Sequence, residues 1–340
     1  MSKISLFGMT LTQLQQVAGQ IGLPRFAAKQ IAGWLYNKRV EDIDQMTNIS
    51  LAMREKLKEN YEVGRSQPID TAVSVDGTKK YIFQTSPNNY IESVMIPDEP
   101  RATLCVSSQV GCRMGCHFCM TSRLGLNSSL SANQIINQVV SIPESQKLTN
   151  IVYMGMGEPM DNIDAVLDSL EIMTSDWGYA WSPTRITVST VGVIPAMKRF
   201  LDESKAHLAV SLHNAISAER RKMMPVENKY PIAQVIELLK KYDFSHQRRV
   251  SFEYIVFKGL NDSPAHLKAL VRMLGSLACR VNLIRFHTIP NSEFIGADQQ
   301  TMVNFRDTLT RHGIITTIRA SRGEDIQAAC GLLAGEKKEQ

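Results

Sequence analysis

Cys112-Arg-Met-Gly-Cys116-His-Phe-Cys119 is the stretch on which the reading of this chain turns; Cys105 stands seven residues before it and Cys330 far downstream. Three thiolates spaced Cys-x3-Cys-x2-Cys can wrap a 4Fe–4S cube and leave its fourth iron without a protein ligand. A cluster that only carries electrons is normally closed by four cysteines, so an open corner points to chemistry at the cluster, through inner-sphere binding of a substrate or cofactor. A zinc site would pair Cys-x2-Cys with a second such pair or with spaced histidines, and neither follows downstream. Disulfides are disfavoured: the N-terminus, Met-Ser-Lys-Ile-Ser-Leu-Phe-Gly, has no secretory character, and a reducing cytosol is the expectation.

Outward from the cysteines, short β-branched runs alternate with helical patterns, which argues for βα units and a parallel sheet. The strands expected are 103–106, 151–154, 186–189, 208–212, 251–256, 281–286 and 315–318. Helices are expected after a cap at Ser131 and over 161–173, 232–242, 265–277 and 324–333. Periodicity does not separate a doubly wound sheet from a barrel, but on either choice active residues gather at the C-terminal ends of strands. Gly155 and Gly157-Glu158 follow the strand at 151–154, Ser189 ends the next, Ser211-Leu212-His213 end another, and His287 follows 281–286. Small or polar groups thus collect at one mouth, where glycines let a ligand approach the backbone.

Before the cysteines, residues 9–62 read as three amphipathic helical stretches, the third starting after Ser50. Residues 66–97 alternate apolar and polar around the turns Asp76-Gly77 and Pro87-Asn-Asn89, which predicts a small antiparallel sheet joining the larger parts, with Glu92 in its last strand. At 340 residues the chain can bury a large core, and its 44% apolar and 21% charged composition is that of an ordinary soluble globular protein. A net charge of +5 permits a nucleic-acid partner without demonstrating one. Basic residues cluster at Arg25, Lys29, Lys38 and Arg39, at Arg220-Arg221-Lys222, Lys240-Lys241 and Arg248-Arg249, and beside the cysteines at Arg113 and Arg123. No run reaches the length of a membrane span.

The triad Cys112, Cys116 and Cys119 resembles the signature of the radical S-adenosylmethionine (radical SAM) superfamily. Arg101-Ala-Thr-Leu-Cys105-Val-Ser-Ser-Gln-Val-Gly-Cys112, Met154-Gly-Met-Gly-Glu158-Pro159, Ser189-Thr-Val-Gly192, Ser211-Leu-His213 and Arg322-Gly-Glu-Asp-Ile-Gln-Ala-Ala-Cys330-Gly331 resemble, in order, the RlmN/Cfr family of RNA adenosine methyltransferases. The resemblance implies an α/β fold: a partial (β/α)6 radical SAM barrel over 98–334, a helical RNA-binding accessory domain over 1–62, a short β linker over 63–97 and a polar tail over 335–340. It implies an enzyme that methylates C2 of an adenosine in 23S rRNA and of the adenosine 3' to the anticodon in a subset of tRNAs. Cys112, Cys116 and Cys119 would hold one 4Fe–4S cluster. Gly157, Glu158, Ser189, Ser211, Leu212, His213 and His287 would contact S-adenosylmethionine, two molecules of which are used per turnover. At His287 the family pattern has Asn, which shares its capacity to donate a hydrogen bond.

By the same resemblance Cys330 carries the methyl group, Cys105 releases the product through a transient disulfide, and Glu92 accepts a proton. Cys279 has no assigned role and reads as structural. The implied partners are 23S rRNA, tRNA and an electron donor such as flavodoxin or ferredoxin; a monomer in the cytoplasm, away from any membrane, is expected. Two alternatives stand beside this reading: the C8-methylating antibiotic-resistance relatives, whose motif has Ala where this chain has Pro159, and a non-catalytic iron–sulfur protein that binds RNA.

Overall fold

The structure is a computed structural model that describes residues 3–246 and 248–335; the expected polar tail beyond Gly335 lies outside the described residues. The N-terminal segment closes on itself where β1 (Ile4–Ser5) pairs in parallel with β2 (Tyr61–Glu62). Two-residue strands are too short to leave an alternation signal, so the sequence did not announce them. Between them run α1 (Leu11–Gln20), α2 (Ala27–Ala32), which widens into a π-type turn over Gly33–Asn37, and α3 (Leu51–Asn60). Thr10 and Gln13 cap α1 reciprocally, each side chain accepting the other's backbone N–H, which satisfies two otherwise orphaned donors. At α3 the expected boundary is present, although the Ser50 hydroxyl makes no capping bond.

The expected antiparallel sheet consists of β3 (Asp70–Val73), β4 (Lys79–Ser86) and β5 (Asn89–Asp98). It continues into the main sheet, because β5 pairs antiparallel with β6 (Arg101–Cys105). After β6 the chain makes a ribbon of β7 (Gln109–Cys112) and β8 (Gly125–Ser129), with the short α4 (Met120–Arg123) between them.

A regular alternation follows: α5 (Ala132–Val140), β9 (Asn150–Tyr153), α6 (Ile163–Thr174), β10 (Ile186–Thr190), α7 (Ile194–Glu203), β11 (His207–Ser211), α8 (Ser217–Met223), α9 (Ile232–Leu239), β12 (Val250–Ile255), α10 (Pro264–Leu274), β13 (Cys279–Ile284), α11 (Gln299–Arg311) and β14 (Ile315–Ile318). The ten-stranded sheet runs β14-β13-β12-β11-β10-β9-β6-β5-β4-β3. From β6 to β14 every pairing is parallel and neighbours follow chain order. A doubly wound sheet would reverse direction at a switch point; its absence here resolves the choice in favour of an open, partial barrel.

Buried Ile151, Val188, Leu208, Phe252 and Val281 from the strands meet Ile136, Leu170, Phe200, Val235 and Leu270 from the helices in one apolar core. The N-terminal helices share it. The Asn133 amide on α5 donates to the carbonyls of Phe7 and Gly64, both at 2.8 Å, and the Tyr36 ring lies 5.9 Å from Trp177 and 5.6 Å from Tyr179. Aromatic pairs of this kind contribute about 0.5–1.5 kcal/mol each beyond area burial. A second apolar cluster, including Phe118, Met223, Met224, Phe257 and Phe286, lies under the cysteine loop. Among the described residues no helix is long and apolar enough to cross a membrane.

Candidate active site

The cysteine loop is an excursion zipped at its base by the β7–β8 ribbon. Cys112 ends β7 opposite Gly125, and Gly111 has φ +75°, with Gly125 oxygen where a Cβ would stand. The loop is then pinned outward and inward: the His117 amide donates to Met223 oxygen at 3.1 Å, and the Cys116 amide to the Ser122 hydroxyl at 2.9 Å. Phe118 anchors it, edge-on to the His213 ring at a centroid distance of 4.9 Å.

All six cysteines are free thiols. Burial pushes Cys112 up to about 12 and raises Cys116 and Cys119, and a negative charge on one neighbour raises the others further. Such a set resists ionising by itself, whereas iron would supply the positive charge that a thiolate requires. Among the described residues no three donors converge as the ligands of a single ion would; a cube is held instead by sulfurs on separate irons. Soft donors in this arrangement fit an iron–sulfur cluster.

Behind the loop, Glu158 is almost fully buried, and its two carboxylate oxygens accept the amides of Met160 (3.0 Å) and Val191 (2.9 Å). Burial outweighs those bonds and pushes its pKa up to about 7. The two glycines before it are required by the path of the chain. A Cβ on Gly155 would stand 2.8 Å from Val106 oxygen, and one on Gly157, at φ +97°, 2.7 Å from the Gln109 amide nitrogen. They let the turn lie against the segment that leads into Cys112.

The ends of β10 and β11 are tied together by a residue from one of the basic clusters. Arg220 is fully buried and ion-paired with Glu227, and it donates to the carbonyls of Val191, Ser211 and Leu212 at 3.1, 2.9 and 3.0 Å. Leu212 is itself fully buried, and its amide is bound to Glu253 oxygen, so neither it nor Arg220 meets solvent. His213, at φ +52°, accepts the Ile255 amide on Nδ1 at 3.0 Å; burial and the nearby Arg220 charge push its pKa down to about 3, so the ring is neutral.

In front of the loop opens a cavity of about 370 Å³, lined among others by Cys105, Cys119, Met154, His287, Arg319 and Cys330. Four of the residues singled out in the sequence, Cys105, Cys119, His287 and Cys330, therefore meet in one space. Cys112, Cys116, Glu158 and His213 lie behind it, and Ser189 and Ser211 sit on β10 and β11. His287 donates or accepts at both nitrogens, with Glu324 2.8 Å from Nδ1 and Ser321 3.2 Å from Nε2. Arg319, which immediately follows β14, touches Met154 sulfur (3.4 Å) and Glu253 (3.5 Å). Desolvation is the larger effect and raises both Cys105 and Cys330, the Arg319 charge working against it; Cys105 is buried, whereas Cys330 is exposed at the cavity. The rule that strand ends carry function would have flagged Arg319.

Cys330 does not lie on a helix. The strap over 319–335 is a series of turns, with many of its hydrogen bonds going to other segments: Gly331 oxygen to the Met120 amide, Leu333 oxygen to the Thr121 hydroxyl, Asp325 to Ser74 and Val75, and Ala334 amide to Glu92. Glycines with positive φ at 323, 331 and 335 permit the path. Glu92 lies on β5, on the face that lines the cavity at Val94 and Ile96, but its carboxylate is buried between Lys80 (2.9 Å) and Ala334 (2.9 Å). Cys279 opens β13, half-buried and away from the cavity.

Comparison with known proteins decides the lineage. Residues 106–271 match the Radical SAM superfamily, and residues 4–63 match the ribosomal RNA large subunit methyltransferase N-terminal domain. A probable dual-specificity RNA methyltransferase RlmN of Phocaeicola vulgatus is 59% identical over 99% of this chain and 97% of its own length. The chain belongs to the RlmN family. A more distant RlmN, from Marinobacter nauticus, is still 39% identical over 99% of this chain and 94% of its own length. In three dimensions, a crystal structure of a radical SAM methyltransferase from Sphaerobacter thermophilus superposes with a TM-score of 0.90 at 37% identity, covering 98% of this chain and all of that one. As an RlmN, the chain is a radical SAM methyltransferase, and S-adenosylmethionine and a 4Fe–4S cluster are its superfamily's cofactors.

Proposed function

We propose that the chain methylates C2 of an adenosine in RNA, with Cys330 as the methyl carrier. The shared cavity carries this reading: Cys105 and Cys330 face the same space as Cys119, so two thiols outside the triad stand beside it. The substrates are the peptidyl-transferase region of 23S rRNA and the adenosine 3' to the anticodon of some tRNAs, in keeping with the dual specificity for which the relatives are named. The work is done in the cytoplasm, with the helical segment up to residue 62 helping to hold RNA.

Cys112, Cys116 and Cys119 would hold one cluster, and Gly157, Glu158, Ser189, Ser211, Leu212, His213 and His287 would surround S-adenosylmethionine. With an electron from flavodoxin or ferredoxin, the bound cluster supplies reductive cleavage of the sulfonium to a carbon radical. Adenine C2 has no lone pair with which to attack a methyl group, so ordinary polar methylation fails there. The Cys330 thiolate, favoured by Arg319, can accept a methyl group by displacement at the sulfonium carbon. Once that methyl has lost a hydrogen atom to the carbon radical, its carbon would join C2, the C2 proton would pass to Glu92, and one electron would return to the cluster left oxidised by the cleavage. Attack of Cys105 on the Cys330 sulfur then breaks the carbon–sulfur bond, leaving a disulfide and a carbon that takes up a proton. Ala334 lies four residues beyond Cys330, so a shift of the strap that carries Cys330 would release Glu92 from the Ala334 amide and leave it on Lys80.

The test is anoxic incubation of iron-loaded protein with reductant, S-adenosylmethionine and rRNA or tRNA fragments, followed by mass spectrometry of the nucleosides. We expect 2-methyladenosine. A product methylated at C8 would move the chain to the antibiotic-resistance branch, and unmodified RNA with intact S-adenosylmethionine would leave an RNA-binding protein.

A further inference from the structure

The cavity is a slot with two unlike ends. Along β6, Arg101, Thr103 and Cys105 face it in alternation, and along β5 so do Val94, Ile96 and Asp98. Four residues of strand put Arg101 about 13 Å from Cys105. The walls between are apolar, with Ile96, Val152, Met154 and Ile284. The inner end holds the thiols, and Arg101, Arg285 and Arg322 also line the slot.

These guanidinium groups are poorly committed. Arg101 and Arg285 are exposed, and neither has a carboxylate within 4 Å among the described residues; Arg285 donates only to the neutral Gln299 amide oxygen, at 2.8 Å. Arg322 reaches a carboxylate, Asp98, at a loose 3.5 Å. An apolar slot that ends in reactive sulfur and carries free guanidinium groups suits one nucleotide turned out of its strand, with its base inside and its phosphates at the arginines.

We infer that Arg101, Arg285 and Arg322 clamp the phosphates flanking the target adenosine and hold its base, extruded, against Cys330. The inference rests on the RNA reading above and assigns the residues that serve it. Extruding a stacked base costs a few kcal/mol. Planar guanidinium forks match phosphate oxygens bidentately and offset that cost without reading sequence, which suits an enzyme that accepts two kinds of RNA. Asp98 holds Arg322 where a phosphate would otherwise take it, so Asp98 competes with RNA.

The test uses full-length, iron-loaded protein and two RNA hairpins, one with 2-aminopurine at the target position, whose fluorescence rises when the base unstacks, and one with adenosine there, which can be methylated. Kd is measured against salt concentration for the wild type and for Arg101→Gln, Arg285→Gln and Arg322→Gln. Each lost phosphate contact should flatten the slope of log K against log salt by roughly 0.7–0.9, and the fluorescence rise should shrink. Arg→Lys at each position should restore the slope but not the full fluorescence, since Lys neutralises charge without the fork. Asp98→Asn should tighten binding. If the Arg101→Gln/Arg285→Gln double variant keeps the wild-type slope and fluorescence while the wild type forms 2-methyladenosine, the clamp is refuted and the enzyme reading survives. A wild type that neither binds nor methylates the adenosine hairpin would remove the reading on which the clamp rests.

Discussion

Replacing Arg220 with methionine would strip a fully buried guanidinium from Glu227 and from the carbonyls of Val191, Ser211 and Leu212. Glu227, equally buried, would keep the Ser217 hydroxyl (2.6 Å) and the Ile232 amide (3.0 Å) but lose its counter-charge. Breaking a buried pair from one side costs about 3–5 kcal/mol. Removing both charges in Arg220→Met/Glu227→Met should return at least about 2 kcal/mol of that loss, because no carboxylate is then stranded in the core. The three carbonyls stay released in both variants, and they terminate the strands that would flank S-adenosylmethionine. The double variant should therefore regain stability without regaining cofactor affinity. Urea unfolding followed by circular dichroism gives the first quantity and equilibrium dialysis of S-adenosylmethionine the second. A single variant that loses less than about 1 kcal/mol, or a double variant no more stable than the single, would refute the reasoning.

Other consequences are equally open to measurement. Glu158 has its pKa raised by burial from 4.5 to about 7, so its burial is without penalty below pH 4.5 and destabilises increasingly as pH climbs to 7. Metal-free wild type should accordingly lose about 3 kcal/mol over that window relative to Glu158→Gln; parallel pH profiles of unfolding would contradict it. Gly157→Ala forces a Cβ to 2.7 Å from the Gln109 amide nitrogen at φ +97°. Strain on the order of 1–3 kcal/mol should appear as a lower urea midpoint, and an unchanged midpoint would show that the turn can yield. Cys330→Ala should leave neither a methylated protein nor methylated RNA by mass spectrometry; normal methyl transfer would reject Cys330 as the carrier.

Much of the barrel was legible because its signals are local. All seven parallel strands fall within about two residues of the expected runs, since β-branched clusters between helical periods mark buried strands directly. What escaped depends on long-range contacts. Arg220 looks like its exposed neighbours Arg221 and Lys222, and only the fold places Glu227 and three carbonyls around it. The strap around Cys330 has a helix-like apolar rhythm because Ala328, Ala329 and Leu333 pack inward from turns. A strand carboxylate usually faces solvent, but Lys80 across the sheet and Ala334 from the strap bury Glu92. The basic residues Arg39 and Arg248 likewise make bonds within the fold that the sequence did not announce, to the Ser145 hydroxyl and the Leu201 carbonyl oxygen. The candidate residues were legible one by one, but their division into a buried rear wall and an open slot required the fold.

The central claim is that Cys105 and Cys330 act as a pair on one substrate. Cys105→Ala, incubated without oxygen with reductant, S-adenosylmethionine and the adenosine hairpin, should stop with protein and RNA covalently joined, and tandem mass spectrometry should place the join on the peptide containing Cys330. Free turnover of Cys105→Ala to methylated RNA, or a join at any other residue, would contradict the account.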